Sequence, residues 1–564
     1  MVPGTDRLAW LKGLTMRSTM QDAPLTVGRI VRYATTTHSN SEVATFTGEG
    51  CRRMSYGELG RRAAKLANVL RALGIGGDER VGTFLWNNNE HLEAYAAIPS
   101  MGAVLHTLNI RLFPEQLVYI TNHAEDQVVI VDGSLIGLLA PVLDQLKTVR
   151  HVLVTPGGDR SALEGMGPDV HDYEELMAGA SDEFDFHPGL VDDERDAAAM
   201  CYTSGTTGNP KGVAYSHRSI YLHSLQGCTA ETFNLSQGDK VLAVVPMFHA
   251  MAWGLPYAAM MCGADQLMPD RFLQAEPLAR LIAEERPNVA GAVPTVWGAL
   301  LAHLDANPVD VSCLRDVVVG GSACPPAMMK GFEERHKVRL IHAWGMTELS
   351  PIGSIGRAPV GLSAEETWAR RLSQGRLPCA VEGRLAMDDG SFAPHDGQAV
   401  GELEVRGPWV AAAYYNNPDM PDDLGADKFQ DGWLRTGDVG SLTPDGYLTL
   451  TDRAKDVIKS GGEWISSVDL ENQIMGHPAV AEAAVIGVPD PRWDERPLAA
   501  VVVRPGATVS FEELRAYLED KVAKWQLPER WTFIAEVPKT SVGKFDKKVL
   551  RAQHAAGELD VTTF

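Results

Sequence analysis

The chain has 564 residues, 45% of them hydrophobic and 22% charged, which is the composition of a globular protein of several domains and excludes a disordered or fibrous chain. Lys and Arg number 51 against 73 Asp and Glu, a formal net charge of −22. A surface this acidic repels polyanions, so we expect no nucleic-acid partner and no general attraction to anionic membranes. Seven cysteines without CxxC spacing are typical of a reduced, cytoplasmic protein without a zinc site.

The N-terminal segment does not resemble a signal peptide, because charged residues interrupt its apolar ones. An uncharged stretch at 241–264 is long enough to cross a bilayer. However, Pro246, His249 and Pro256 interrupt it, and its first part reads as a buried strand. We therefore expect no membrane span, but a core strand followed by a segment that lines a pocket.

The first part of the chain alternates helix and strand patterns. Ser55 and Glu58 form a capping-box pattern, and apolar residues then repeat at helical spacing until Gly74. Short β-branched runs follow, separated by helix-like segments, at 81–86, 128–132, 152–155 and 316–319. This alternation predicts an α/β fold with two parallel-type sheets and helices.

The pattern changes after Val381, where short strands alternate with Gly and Asp turns and indicate a small β-rich subdomain. The last hundred residues predict a small α+β domain, with helices at 467–475 and 511–524 and strands at 481–488, 498–503 and 531–534. The predicted division is an N-terminal domain at 1–451, a hinge at 452–456 and a C-terminal domain at 457–564.

A loop rich in Gly, Thr and Ser is the strongest local signal. It reads Tyr-Thr-Ser-Gly-Thr-Thr-Gly-Asn-Pro-Lys-Gly over 202–212. Glycine backbone, hydroxyl donors and one Lys are what a phosphate-binding loop requires. Pro210 stands where a Walker A loop needs glycine, so this is a different phosphate loop. Its candidate phosphate contacts are Thr203, Ser204, Gly205, Thr206, Thr207, Gly208 and Lys211.

This loop resembles the phosphate loop of the adenylate-forming superfamily, which comprises acyl-CoA synthetases, peptide-synthetase adenylation domains and luciferases. Further motifs of that family follow in order between residues 40 and 550: Gly320-Gly321-Ser322, Trp344-Gly345-Met346-Thr347-Glu348, Thr436-Gly437-Asp438, Asp452-Arg453 and the lysine-ended loop 538–544. The family more often has Tyr where this chain has Trp344. Stacking is kept there, but the hydroxyl is lost.

The resemblance implies an ATP-dependent acid–thiol ligase that forms an acyl-adenylate and then an acyl-CoA. It implies catalytic roles for Lys544, Glu348, Thr203 and Lys211, and Mg²⁺ binding by Glu348 and Thr206. Lys455 matches the hinge about which a mobile C-terminal domain rotates. Besides the loop residues, the implied ATP and AMP contacts are Gly320, Gly321, Ser322, His342, Ala343, Trp344, Gly345, Met346, Thr347, Asp438, Arg453 and Lys544.

The same resemblance gives the sites of the other two substrates. The acyl pocket is expected at His249, Trp253, Val293, Pro294, Thr295, Gly320 and Trp344, with Trp253 as a gate to the acyl tunnel. Coenzyme A is expected at Lys459, Ser460, Gly461, Gly462, Glu463 and Trp464. The expected partners are therefore a small carboxylate, ATP and CoA, and relatives suggest a homodimer.

The identity of the acid stays open at this stage. The expected pocket residues are apolar, without an Asp to pair with a substrate ammonium, which favours a medium- or long-chain fatty acid. The alternatives are a short thioether acid such as methylmercaptopropionate, or an aryl acid or other oxyanion of a biosynthetic pathway. A protein that binds an adenylate without turnover is a further alternative, against which the intact Lys211, Glu348, Asp438 and Lys544 argue.

Overall fold

We analysed a computed structural model of the chain. It describes residues 18–184, 186, 190–203, 209–387, 389–416, 426–453, 455–460, 463–540 and 543–564. Several residues expected to bind phosphate or CoA lie outside these ranges, namely Ser204, Gly205, Thr206, Thr207, Gly208, Gly461 and Gly462.

The α-helices lie mostly between strands, as the sequence predicts. In chain order they are α1 Val27–Thr37, α2 Tyr56–Ala72, α3 Asn89–Ser100, α4 Pro114–Ala124, α5 Ile136–Leu139, α6 Tyr173–Gly179, α7 His217–Cys228, α8 Leu255–Cys262, α9 Ala275–Glu285, α10 Pro294–Ala306, α11 Pro326–His336, α12 Ala364–Leu372, α13 Ser467–Met475, α14 Phe511–Leu518 and α15 Lys547–Ala555.

The strands form three sheets. In chain order they are β1 Glu42–Phe46, β2 Cys51–Ser55, β3 Arg80–Phe84, β4 Val104–Thr107, β5 Asp126–Val131, β6 His151–Val154, β7 Asp169–Asp172, β8 Ala197–Tyr202, β9 Gly212–Ser216, β10 Lys240–Ala243, β11 Asp265–Met268, β12 Val289–Ala292, β13 Asp316–Val319, β14 Leu340–Gly345, β15 Ile352–Ile355, β16 Gly375–Arg376, β17 Glu382–Ala386, β18 Gly401–Arg406, β19 Phe429–Gln430, β20 Trp433–Leu442, β21 Tyr447–Arg453, β22 Ile458–Ser460, β23 Glu463–Ile465, β24 Val480–Asp490, β25 Asp494–Val503, β26 Arg530–Phe533 and β27 Thr562–Thr563.

The first sheet has the order β7-β6-β5-β3-β4-β8-β9. Its strands are parallel up to β8, and β9 returns antiparallel to β8. Val81 lies opposite both Leu105 and Val128 and packs with them in one core cluster, whereas Val129 and Val131 belong to a second cluster, so the centre of the sheet is apolar on both faces. The β8–β9 hairpin at its edge carries the phosphate-loop motif.

The second sheet is parallel from β11 through β10, β12 and β13 to β14. It continues through the antiparallel pair β14–β15 into the strands after residue 375, so the β-rich subdomain extends a parallel sheet into 14 strands. Gly291, Val318 and Ile341 are neighbours across its centre. The carboxyl ends of β13 and β14 point toward the motif residues Gly320 and Glu348.

The third sheet belongs to the C-terminal part of the chain. The long hairpin β24–β25 pairs Ile486 with Leu498, and β26 is parallel to β25. Helices α13 and α14 pack with this sheet around the buried Trp531. The predicted helix 511–524 is too long: α14 ends at Leu518, where a turn follows that returns Val522 to the same core.

Several other predictions are met. Ser55 caps α2, where its Oγ accepts from the Glu58 N–H at 3.1 Å, and β13 has the predicted bounds. Within the described part of the chain, no helix is long and apolar enough to cross a bilayer. The α/β fold with two parallel-type sheets, a β-rich extension and a small C-terminal α+β unit is confirmed. The domain bounds 1–451, 452–456 and 457–564 stay a prediction.

Candidate functional site

A cavity of about 360 Å³ lies at the carboxyl ends of β13 and β14. The residues that line it are far apart in the sequence. They come from the base of the β8–β9 hairpin, the segment before α8, the ends of β13 and β14, the β20–β21 hairpin and the C-terminal loop. Carboxyl ends of neighbouring parallel strands are where α/β proteins commonly bind ligands. The motifs found in the sequence therefore meet at one place.

Two hydrogen bonds join Thr203 and Lys211 at the base of the phosphate-loop hairpin. The N–H of Thr203 donates to the carbonyl of Lys211 at 2.9 Å, and the N–H of Lys211 donates to the Thr203 Oγ1 at 3.1 Å. Both residues line the cavity. These two hydrogen bonds close the loop at its base.

Glu348 contributes a carboxylate to the lining of the cavity. It is only 5% exposed, and its Oε1 accepts from the Tyr414 hydroxyl at 2.6 Å. The Nζ of Lys211 lies 5.7 Å from the centre of the Tyr414 ring. A buried carboxylate needs hydrogen-bond or ionic partners. Here Tyr414 holds one oxygen of Glu348, and the carboxylate still borders the cavity.

Asp438 is the second carboxylate of the cavity. Its Oδ2 accepts from the indole Nε1 of Trp344 at 2.7 Å, and the Nε of Arg453 lies 3.5 Å from its Oδ1. Its backbone N–H donates to the Oγ1 of Thr436. The indole N–H of Trp344 thus orients the Asp438 carboxylate.

Lys544 reaches the cavity from the C-terminal loop. A Cβ added to Gly321 would lie 3.3 Å from the Lys544 Cε, so the absence of a side chain at Gly321 is what admits the lysine. The carbonyl of Gly543 accepts from the Thr295 Oγ1 at 3.4 Å and ties the loop to α10. Burial of the ammonium lowers the pKa of Lys544 to about 8, and Arg453 acts in the same direction.

The far end of the cavity is apolar. Among its described lining residues, those at this end carry no charge, and they are Phe233, Ala250, Trp253, Val318, Ala343, Ile352 and Ile355. The indole of Trp253 lies between two glycines, because a Cβ on Gly291 or on Gly320 would come within 3.3 Å of the ring. Trp253 is 9% exposed and belongs to the core cluster behind the cavity.

The backbone that carries Trp253 is unusual. From Ala250 to Trp253, four consecutive non-glycine residues have φ between 43° and 59°, and Gly254 follows at 74°. This is a single left-handed turn, which L-amino acids adopt at a cost of about 1–2 kcal/mol per residue. Burial of the whole turn keeps it in place.

Charge is divided along the cavity. Among its described lining residues, five cations face two carboxylates: Lys211, Lys428, Arg453, Lys455 and Lys544 against Glu348 and Asp438. His249 is neutral, because burial and the nearby Lys544 lower its pKa to about 3. A chain of net charge −22 therefore concentrates positive charge at one end of this cavity, next to an apolar end.

Some residues expected at the site lie elsewhere. The ring nitrogens of His342 contact the Cys324 N–H at 3.3 Å and the Leu372 carbonyl at 3.2 Å, so its side chain supports the fold and does not reach the cavity. Ser322, Val293, Pro294 and Thr295 are not among the lining residues either. Val293 packs against Gly321, and Thr295 holds the Lys544 loop, so both act behind the site.

Of the residues expected to contact CoA, the described Lys459 and Ser460 are not among the lining residues of the cavity. Lys459 and Ser460 are on β22, where Lys459 is exposed and the Oγ of Ser460 accepts from Arg496 at 3.0 Å. Glu463 and Trp464 begin β23, which pairs with β22. Among the described residues of the C-terminal part, Lys544 lines the cavity and those of β22 do not.

Several lining residues were not predicted from the sequence, among them Tyr414 and Phe233. Tyr414 holds Glu348, and Phe233 borders the apolar end. Tyr414 lies in a Tyr-Tyr pair that could have been noticed between the Trp344 and Asp438 motifs, whereas Phe233 follows α7 without any local signal.

The residues present fit a Mg²⁺ ion that is bound together with a polyphosphate. Among the described residues, no group of three or more His, Cys, Asp or Glu side chains could hold a metal ion alone. Mg²⁺ usually takes only one or two protein carboxylates and completes its shell with phosphate and water. Glu348, with one oxygen fixed by Tyr414, suits that use, and Thr206 lies outside the described residues.

Comparison with known proteins agrees with this geometry. A family model described as AMP-binding enzyme matches residues 31–415, and a model for the C-terminal domain of AMP-binding enzymes matches residues 469–544. The 3-methylmercaptopropionyl-CoA ligase of Ruegeria pomeroyi is 44% identical over 543 residues, which cover 95% of this chain and 99% of that protein. The long-chain-fatty-acid–CoA ligase of Thermus thermophilus is also 44% identical, covering 95% and 97%.

A solved structure is similar over nearly the whole chain. The anthranilate CoA ligase AuaEII in complex with anthranoyl-AMP has a TM-score of 0.85 and 25% identity, covering 96% of this chain and 100% of that one. The matched family models span most of the sequence and include the lining residues Lys211, Gly320, Glu348 and Lys544. The chain belongs to the family of AMP-binding enzymes.

Proposed function

We propose that this protein joins an apolar monocarboxylic acid to coenzyme A at the expense of ATP, with a fatty acid of medium chain length as its best substrate. The observation that carries the proposal is the division of one cavity into a cationic end and an uncharged apolar end. Such a cavity suits a triphosphate on one side and a hydrocarbon chain on the other, with the carboxylate between them.

The chemistry explains why both ends are needed. A carboxylate has oxide as its leaving group and does not react with a thiol at neutral pH. One carboxylate oxygen attacks the α-phosphorus of ATP, the bond to the β-phosphate oxygen breaks, and pyrophosphate leaves. The resulting mixed anhydride has AMP as a good leaving group. The thiol sulfur of CoA then attacks the acyl carbon, loses its proton and expels AMP.

In the first step, negative charge builds up around the α-phosphorus. Lys544 and Lys211 are placed to stabilise that charge, and Thr203 would supply a hydroxyl contact beside Lys211. Mg²⁺ held by Glu348 would neutralise charge on the phosphate oxygens. Electrostatic contacts of this kind are worth most in a site from which water is excluded, as the closed Lys544 loop favours.

The nucleoside part of ATP would lie along β14 and β20. Asp438, oriented by the Trp344 indole and by Arg453, offers two carboxylate oxygens at a spacing suited to the two ribose hydroxyls. One face of the Trp344 ring packs on Gly353, whose added Cβ would come within 2.3 Å of it. The other face is left for the adenine.

The second step requires a different arrangement of the C-terminal part. We infer a rotation about Lys455 that withdraws Lys544 and brings the segment 459–464 beside the cavity. The described residues Lys459 and Ser460 of that segment do not line the cavity, which supports two alternating states, since one conformation cannot serve both steps. The protein would act in the cytoplasm, and we propose a homodimer.

The size of the acid is argued from Trp253. The indole fills the space between Gly291 and Gly320, so a long chain must displace it, whereas a short or medium chain needs less movement. A cavity of about 360 Å³ is also near the lower limit for ligand sites. The same argument admits a short thioether acid as second candidate.

The test is ATP–pyrophosphate exchange with acids from propionate to hexadecanoate, 3-methylmercaptopropionate and benzoate, followed by CoA-dependent release of AMP. We expect the highest kcat/KM between hexanoate and dodecanoate, and we expect Lys544→Ala to lower exchange about a hundredfold. The highest kcat/KM with benzoate, or pyrophosphate exchange with an amino acid, would contradict the proposal that the substrate acid has an apolar chain. Exchange without any thioester product would contradict CoA as the acceptor.

A further inference from the structure

Two cysteines meet beside the core that encloses the apolar end of the cavity. Cys228 is the last residue of α7 and Cys262 is the last residue of α8. The two helices approach closely near these ends, since a Cβ added to Gly227 would lie 3.2 Å from the Ala258 Cβ. Adjacent helix ends thus present two thiols to each other.

The contacts of the sulfur atoms place them together. The Sγ of Cys228 lies 3.4 Å from the carbonyl oxygen of Ala258, which is one turn before Cys262 in the same helix. The Sγ of Cys262 lies 3.7 Å from the carbonyl oxygen of Ala259. The interaction of the two neighbouring thiols lowers the pKa of Cys262 and raises the pKa of Cys228.

The surroundings distinguish this pair from the other cysteines. Both thiols are partly exposed, so a small oxidant can reach them, whereas Cys201 and Cys324 are buried. Burial raises the pKa of Cys51 and of Cys313, which disfavours their reactive thiolate forms, whereas at Cys262 the neighbouring Cys228 outweighs the effect of burial and lowers the pKa. Cys379 is exposed and serves as a control for unspecific oxidation.

We propose that Cys228 and Cys262 are an oxidisable pair that forms a reversible disulfide when the protein meets a peroxide. The Cys262 thiolate attacks one peroxide oxygen, so that an S–O bond forms, the O–O bond breaks and hydroxide leaves. The Cys228 sulfur then attacks the Cys262 sulfur; the S–S bond forms, the S–O bond breaks, and the departing hydroxide takes the thiol proton as water. Two thiols and one hydrogen peroxide give one disulfide and two waters.

The disulfide would act on the cavity through α8. Both cysteines pack on the cluster that contains Phe233, Trp253 and Val318, all of which line the apolar end. Helix α8 has eight residues and begins directly after the left-handed turn that carries Trp253. A bond that ties its end to α7 should hinder the movement of this short helix, and with it the displacement of the indole.

The experiment treats the full-length protein with increasing hydrogen peroxide, counts free thiols and maps disulfide-linked peptides by mass spectrometry. We expect the seven free thiols to decrease by two, with one linked pair of peptides that contains Cys228 and Cys262, and full reversal by dithiothreitol. Cys228→Ser and Cys262→Ser should each abolish the linked pair, whereas Cys379→Ser should leave it unchanged. Replacement of Cys by Ser is a conservative change. The peptide map of the wild-type protein shows by itself whether Cys228 and Cys262 are linked, so the test does not depend on the variants.

Two results would overturn the pairing: loss of thiols without this linked peptide, or a linked peptide that persists in Cys228→Ser. The effect on activity rests on the proposed function and is read separately. The oxidised protein should lose about tenfold in kcat/KM for hexadecanoate, equal to about 1.4 kcal/mol, with hexanoate little changed. An equal loss for both acids would refute the link to Trp253 while leaving the disulfide itself established.

Discussion

Lys544 allows the electrostatic part of the proposal to be tested by pH as well as by mutation. Its pKa is lowered to about 8, so the ammonium is lost as pH rises through 8, and at pH 9 only about a tenth of the molecules keep the charge. We expect kcat/KM for adenylation to fall about tenfold between pH 7.5 and pH 9. Lys544→Ala should lower adenylation at pH 7.5 by about a hundredfold, or about 2.7 kcal/mol.

The assay is pyrophosphate exchange over pH 6.5 to 9.5, with transfer to CoA from a supplied acyl-adenylate as the matched half-reaction. Lys544→Arg keeps its charge throughout this range, so its profile should remain flat at alkaline pH even if its rate is lower. The reasoning is refuted if Lys544→Arg retains the alkaline decrease, or if Lys544→Ala slows both half-reactions equally.

Three further variants address separate parts of the site. Trp344→Phe keeps a stacking ring but removes the N–H donor to Asp438. KM for ATP should therefore rise about tenfold, with little change in melting temperature. An unchanged KM would show that Arg453 alone orients the carboxylate. Trp253→Ala should raise kcat/KM for hexadecanoate relative to hexanoate. It should destabilise the protein by less than the roughly 3–5 kcal/mol that loss of a fully enclosed Trp costs. A large drop in melting temperature with an unchanged chain-length profile would refute the role of Trp253 as a gate. Gly462→Leu should slow transfer to CoA and spare pyrophosphate exchange, and an equal loss in both reactions would mean that the segment is structural.

The sequence predicted those parts of the fold and site that depend on local patterns. The apolar run 316–319 is β13, and the motif residues Glu348, Asp438 and Lys544 do line one cavity. Glu348 lies in a short turn after β14 and Lys544 in a loop before α15, while Asp438 lies within β20 directly after Gly437, so the residue types around each indicate the local backbone.

Other features depend on contacts between distant segments and had no local signal. His342 stands next to a motif, yet its ring is occupied by groups from two other segments. Tyr414 reaches Glu348 across 66 positions of sequence. The left-handed turn before α8 is equally unpredictable, because Ala, Met and Trp have no preference for that conformation.

That turn has a thermodynamic consequence for the site. If each of its four non-glycine residues costs about 1–2 kcal/mol, the turn holds a total of several kcal/mol that the packing around Trp253 must balance. A ligand that displaces the indole loses this packing but lets the backbone return to an ordinary conformation. The two terms oppose each other, so the net work of enlarging the cavity is smaller than the burial of a tryptophan suggests. Small sequence changes in the surrounding core can therefore shift the preferred acid without any change in the residues that contact it.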